Sequence, residues 1–245
     1  MPEIDDPQQN HILRALSPAE FEELAPHLVS VTKASGETLY QGNDKLEYVF
    51  FPTTSVASLL CELQDGTSVE VAVVGREGVV GISVFMGGSA ALTQATIHTA
   101  GSGYRLSGKT LQSLLIRSGG RREGKLQKLL MRYSQALLLQ MAQTTACNRR
   151  HSIDQQLSRW LLVNIDRVET NRLHMTHELI SNMLGVRRES VTDAAIKLHR
   201  AGFIRYSRGL IEVTNRAGLE THVCECYGIM KKAADQLVKD FLGPF

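Results

Sequence analysis

The side chains with the most chemical potential sit together at Arg187, Arg188, Glu189 and Ser190, followed by Thr192 and Asp193, within the stretch GVRRESVTDAAIKLHRAGFI (185–204). An arginine can present two donors to O6 and N7 of guanine, and a glutamate can accept from N4 of cytosine. An adjacent Arg–Glu pair on a helix can therefore read G and C on opposite strands. The positive end of a helix dipole disfavours cations, so arginines at a helix entrance point to an outside partner rather than to helix stability. A second group, His222, Cys224 and Cys226, alternates along the chain. An extended segment would turn three soft ligands to one side, whereas a helix would separate the two cysteines by about 160°. The helical pattern around them favours packing, so no metal and no cofactor are expected, and these three are the candidates should a metal bind.

A reading helix needs a scaffold, and the preceding residues supply one. Ile180, Ser181, Leu184, Gly185, Val186, Val191 and Ala194 fill the apolar, small, apolar, glycine, apolar, apolar and apolar positions of a helix-turn-helix. The small residue lets the helices cross closely, the glycine tolerates positive φ at the turn, and the apolar positions form the shared core. Thr176 is placed as N-cap of the first helix. Val191, Ala195 and Leu198 then face inward, and Arg188, Glu189, Thr192 and Asp193 outward. Downstream, Phe203–Ser207 and Leu210–Val213 read as a strand pair joined at Arg208-Gly209, a wing whose Arg205 and Arg208 suit phosphate or minor-groove contact.

Charge follows the same division. The net charge of +2 conceals about −2 over residues 1–146, +5 over 147–216 and −1 over 217–245. One segment alone is suited to a polyanion. With 43% hydrophobic residues in 245, the chain can bury the cores of two ordinary domains. No apolar run approaches the ~20 residues of a membrane span. The acidic, polar start MPEIDDPQQN is unlike a signal peptide, so a cytoplasmic location and no membrane partner are expected. Four scattered cysteines do not make a disulfide framework.

Residues 29–107 carry short runs rich in Val, Thr, Tyr and Phe, divided by glycines and Pro52, which predict a small antiparallel barrel or sandwich. SPAEFEELAPHL before it starts a helix, with Ser17 and Glu20 at capping-box spacing. From Lys125 to Arg150 there is neither Pro nor Gly, and Leu126, Leu130, Tyr133, Leu137, Gln140 and Thr144 step by alternating fours and threes. That a/d stripe predicts a dimer helix. The alternative is that Leu129, Tyr133, Ala136 and Leu137 pack on the barrel. A second capping box, Ser152 with Gln155, opens a new helix in which Trp160 is core. An enzyme of the cupin type would need clustered histidine and carboxylate ligands. The barrel offers only His98 and no H-x-H, so no enzymatic activity is expected. His98 and His27 are the histidines that could hold a heme; a lone histidine is usually structural.

The barrel, the long helix, RHSIDQQLSRWLL, MTHELISNMLGVRRESVTDAAIKLHRAGFI and the wing together resemble a bacterial transcription regulator of the Crp/Fnr family. The resemblance implies an α+β chain: an N-terminal double-stranded β-helix (jelly-roll) sensor over residues 1–122, a dimerisation helix over 123–147, a winged helix-turn-helix over 148–216 and a helical extension over 217–245. It implies a homodimer on palindromic double-stranded DNA, and RNA polymerase as partner if the protein activates. The family's R-E-[ST]-V string, which opens its recognition helix, stands here as Arg188, Glu189, Ser190 and Val191. Asp193 stands where members responsive to cyclic AMP carry another arginine. In cyclic-nucleotide binders, Gly-Glu holds the ribose and Arg-Ser the phosphate; here Gly81-Ile82 and Thr93-Gln94 fall in those places. A buried anion without a cation is costly, so the effector pocket at these four residues is expected to have lost cyclic-nucleotide binding. Val79, Val80, Ile82, Val84 and Phe85 are expected to fill it. The first cysteine, Cys61, lies too late for the N-terminal iron–sulfur cluster of oxygen sensors. The alternative is a regulator with the same DNA-binding domain that answers to a cyclic nucleotide, a redox change or a metal.

Overall fold

A computed structural model describes residues 6–88, 90–118 and 124–242. The chain divides into two compact units, one of residues 1–59, 74–138 and 234–245, the other of 60–73 and 139–233.

The first unit opens on a short helix, α1 (His11–Arg14), fastened by a residue that pattern reading passed over. Asn10 is fully buried. Its Oδ1 caps the backbone of Ile12 and Leu13, while Nδ2 donates to the carbonyls of Pro52 (2.9 Å) and Gly78 (2.8 Å). All the polar capacity of the amide is used, which is the condition for burying it. Helix α2 (Pro18–Leu24) starts with the expected capping box of Ser17 and Glu20.

Strands β1 (Val29–Lys33), β2 (Thr38–Tyr40), β3 (Tyr48–Pro52), β4 (Val56–Glu62), β5 (Ser68–Val74), β6 (Gln94–Thr99) and β7 (Gly101–Ser107) follow. They form a three-stranded sheet in the order β1-β7-β3 and a four-stranded sheet in the order β2-β6-β4-β5. This is the β-sandwich core of the expected α+β architecture. Phe50 and Phe51 on β3 are buried, and Gly103 on β7 makes room for them: a Cβ there would sit 2.4 Å from the Phe50 ring. Helix α3 (Gly108–Ser118) comes next, and the boundary expected at 122/123 lies outside the described residues.

Helix α4 (Lys125–Arg150) runs unbroken for 26 residues, as its lack of Pro and Gly requires. The six residues read as a dimer seam, Leu126, Leu130, Tyr133, Leu137, Gln140 and Thr144, are all buried within the single chain. Tyr133 shows why: it lies so close to Gly78 that a Cβ at Gly78 would meet the ring at 2.2 Å. The apolar side chains that α4 leaves open are instead Met131 (43% exposed) and Leu138 (55%). The heptad period was legible, but its phase points inward.

In the second unit α5 (Ile153–Ile165) begins where Gln155 Oε1 accepts from the Ser152 amide at 3.3 Å. Trp160 is buried, and its Nε1 donates to Glu70 Oε1 at 2.8 Å. The outer part of the β4–β5 hairpin, residues 60–73, thus belongs with this unit rather than with the rest of the sheet. After β8 (Arg172–His174) come α6 (His177–Leu184), α7 (Arg188–Arg200), β9 (Ile204–Ser207) and β10 (Leu210–Val213), the strands ordered β8-β10-β9. The helical extension expected over 217–245 is interrupted within the described residues. Helix α8 (Arg216–His222) stops at Val223, whose ψ of 154° is extended, and α9 (Glu225–Leu242) starts afresh. No helix among the described residues is long and apolar enough to cross a membrane.

Candidate nucleic-acid interface

Helices α6 and α7 are held at a fixed crossing by the seven positions the sequence marked. Ile180, Ser181, Leu184, Val191 and Ala194 are buried, and Val186 half-buried. Gly185 has φ +65°, and a Cβ there would come within 2.8 Å of Val69 Cγ2. Both the left-handed backbone and the close approach call for glycine. Thr176 Oγ1 accepts from the Leu179 amide at 3.1 Å, capping α6.

Helix α7 takes Arg187 as its N-cap residue, with no side-chain cap. Arg187, Arg188, Glu189 and Asp193 are exposed and Ser190 half-buried. The heads of Arg187, Arg188 and Glu189 have no hydrogen bond or ion pair among the described residues. These side chains stand at the end of a well-anchored helix with their polar capacity uncommitted.

Thr192 is different. Its Oγ1 donates to the Arg188 carbonyl (3.1 Å) and lies 3.0 Å from His177 Nδ1. The His177 ring in turn stacks on Tyr206 of the wing, centroids 4.0 Å apart. His177 therefore links the start of α6, the face of α7 and β9. Burial, and secondarily the charge of Arg188, lower its pKa from the ordinary 6.5. Pattern reading missed it, because nothing local in the sequence shows that the ring meets Tyr206.

The wing hairpin turns at Arg208 (φ 48°) and Gly209 (φ 78°), both in the left-handed region that a two-residue turn requires. Arg208 is exposed at the tip, with no partner among the described residues. Arg205 is paired instead: its Nη1 lies 3.3 Å from Glu212 Oε2, and Arg172 holds the other oxygen at 3.1 Å.

The four residues of the expected effector pocket lie in the first unit. Gly81 adopts φ +97° ahead of a single turn at Ile82–Val84. The Tyr40 phenol is hydrogen-bonded to the Thr93 side chain and the Gly81 backbone, and burial pushes its pKa up to about 12. Gln94 Nε2 donates to Thr96 Oγ1 at 3.3 Å. Val79, Val80 and Val84 are buried, Ile82 and Phe85 partly so. A cavity of about 220 Å³ beside Tyr40 is lined by Asp44, Lys45, Glu47 and Tyr48 among others. His98 is buried with Nδ1 2.9 Å from Ser58 Oγ.

Of the candidate ligands at the C-terminal side, His222 Nε2 faces Asp154 Oδ2 at 3.2 Å, away from the cysteines. Cys224 and Cys226, freed from a common helix by the break at Val223, lie together with Cys147 and His151. No local pattern marks those two partners, which are more than seventy residues away.

Residues 155–222 match the Crp-like helix-turn-helix domain. The chain is similar in structure to FixK2 from Bradyrhizobium japonicum, at 18% identity and a TM-score of 0.66 over 80% of this chain and 98% of that one. It is also similar to the c-di-GMP responsive global regulator CLP from Xanthomonas campestris (13%, 0.64, 80% and 99%). A third similar structure is a CRP-family transcriptional regulator from Thermus thermophilus (18%, 0.63, 78% and 95%). The sequence matches no curated protein.

Proposed function

We propose that this chain, which carries a Crp-like helix-turn-helix domain on the fold of the Crp/Fnr transcription regulators, is a sequence-specific DNA-binding regulator that works as a homodimer on a palindromic operator. The observation that carries the reading is the start of α7. Arg187, Arg188 and Glu189 project from a buried scaffold without partners of their own, and the N-terminal end of such a helix is the part that enters the major groove. Arg208 at the wing tip suits phosphate, and Thr176 and Ser190 add short donors near the groove. Arg205, tied to Glu212, serves less as a DNA contact than as a brace of the wing.

Pairing runs along the exposed stripe of α4 formed by Lys128, Met131, Gln135, Leu138, Ala142 and Thr145. This stripe keeps the alternating three–four spacing and lies beside the buried one. Two recognition helices paired in this way meet half-sites about 34 Å apart. Selection of binding sites from random duplexes should return an inverted repeat with G·C pairs in each half. Leu138→Glu should give a monomer that has lost tight operator binding. A folded monomer of the natural sequence, binding single half-sites, would overturn the dimer reading.

The sensor half does not take a cyclic nucleotide. Its polar groups at Gly81 and Thr93 are engaged by Tyr40, no arginine stands at the phosphate position, and the neighbouring cavity sets the acids Asp44 and Glu47 against the single cation Lys45. Calorimetric titration with cyclic AMP or cyclic GMP should give no saturable heat below roughly millimolar. A micromolar isotherm would refute it.

A further inference from the structure

We propose that Cys147, His151, Cys224 and Cys226 form a tetrahedral metal site of the Cys3His type, suited to zinc(II), that clasps the end of α4 to the start of α9. The four ligand atoms lie within 4.8 Å of one another. In a tetrahedral zinc site, bond lengths near 2.3 Å to sulfur and 2.05 Å to nitrogen place two sulfurs ~3.8 Å apart and a sulfur and a nitrogen ~3.6 Å apart. Here Cys147 Sγ and Cys224 Sγ are separated by 3.6 Å, and Cys226 Sγ and His151 Nδ1 by 3.7 Å. These two separations match edges of a zinc tetrahedron rather than the ~2.05 Å of a disulfide.

Local structure accounts for the convergence. Cys147 and His151 are four apart, with the His151 amide still bonded to the Cys147 carbonyl at 3.0 Å, so one helical turn puts both on one face. The extended residue Val223 breaks the chain between α8 and α9, and this lets Cys224 and Cys226 turn inward together. All three cysteines are buried, with His151 at the rim.

The surroundings are those of a ligand set. With Nδ1 aimed at the sulfurs, the His151 ring turns Nε2 toward Glu225 Oε2 at 3.3 Å. That is the carboxylate–histidine arrangement which fixes the tautomer and strengthens the imidazole as a ligand. On the other side Arg159, itself buried, donates from Nε to Cys147 Sγ at 3.2 Å. A cation hydrogen-bonded to a sulfur is the partner that a metal-bound thiolate would take. Simple apolar packing of cysteines would call for neither partner. Three thiolates and a neutral imidazole around Zn²⁺ leave one negative charge, which Arg159 offsets.

The test uses the full-length chain purified under reducing conditions. Elemental analysis should find about one zinc per chain. Cobalt(II) added to metal-free protein should produce the visible ligand-field bands of a tetrahedral site together with near-ultraviolet thiolate-to-cobalt charge transfer. Cys226→Ser and Cys147→Ser should lose most of the zinc, while His222→Ala and Cys61→Ser should retain it. Glu225→Gln should keep the site but weaken it ~10-fold in competition with a chelator. Cobalt titration of the unmutated chain does not depend on the folding of any variant. Absence of the charge-transfer band there would overturn the proposal. So would zinc that survives Cys226→Ser, or a metal-free chain whose mass shows a Cys147–Cys224 disulfide. None of these readouts depends on DNA binding.

Discussion

The start of α7 and the Gly81–Gln94 region of the sandwich treat polar groups in opposite ways. At α7, Arg187, Arg188 and Glu189 are exposed and uncommitted on a helix whose other face is buried. In the sandwich, Tyr40 joins Thr93 to the Gly81 backbone, and the nearby Val79, Val80 and Val84 are buried. The first arrangement leaves hydrogen-bonding capacity for an outside partner, while the second satisfies it internally. Free polar capacity on a rigid support is what recognition needs, whereas polar groups paired within the chain contribute to its own stability.

The contrast is broken most sharply at Arg188 and Glu189. Replacing either by Ala should cost about 1–3 kcal/mol in binding at one base pair and relax preference there, with no change in thermal stability. Site selection with each variant, set beside its melting curve, separates the two effects. Arg208→Ala should weaken all duplexes alike and lower the salt slope by about 1. Unchanged preference after Glu189→Ala would mean that the helix enters the groove in another register.

The opposite signature belongs to Tyr40. Tyr40→Phe removes the hydroxyl shared with Thr93 and Gly81 and should cost about 1 kcal/mol of stability. Operator affinity should not move. Denaturant unfolding checks the first statement and a binding isotherm the second. A gain of cyclic-nucleotide binding in this variant would show that the phenol alone had been keeping the site closed.

A smaller effect should come from pH. The folded state holds the His177 pKa below 6.5, so folded protein resists a proton that unfolded protein accepts. The stabilisation is therefore complete above about pH 6.5 and fades as pH falls through the lowered folded value. Stability of the winged-helix unit measured from pH 8 to 5 should show this decline. His177→Gln should flatten it, and should also loosen the wing, since the ring stacked on Tyr206 is gone.

Much of the helix-turn-helix was legible. The helix-turn-helix positions are a local pattern in which each residue type answers to one backbone requirement, and Gly185 with φ +65° is the clearest case. The wing strands and the capping boxes of Ser17 and Ser152 are local for the same reason. Asn10 was not legible, because its partners at Pro52 and Gly78 are distant in sequence. His177 was overlooked because its role depends on the wing folding back over α6.

The sequence by itself determined the period of α4, the turn at Gly185 and the charge placed at Arg187, Arg188 and Glu189. Each is set by backbone sterics or side-chain spacing within a few residues. Only the tertiary structure decided which of two adjacent heptad stripes of α4 faces inward, since a period carries no phase until a partner surface such as Gly78 meets Tyr133. It likewise decided that Cys224 and Cys226 lie together with Cys147 and His151 while His222 turns to Asp154. Such a cluster is a relation in space, and chain separation says nothing of it once a break such as the one at Val223 has reset the direction of the backbone.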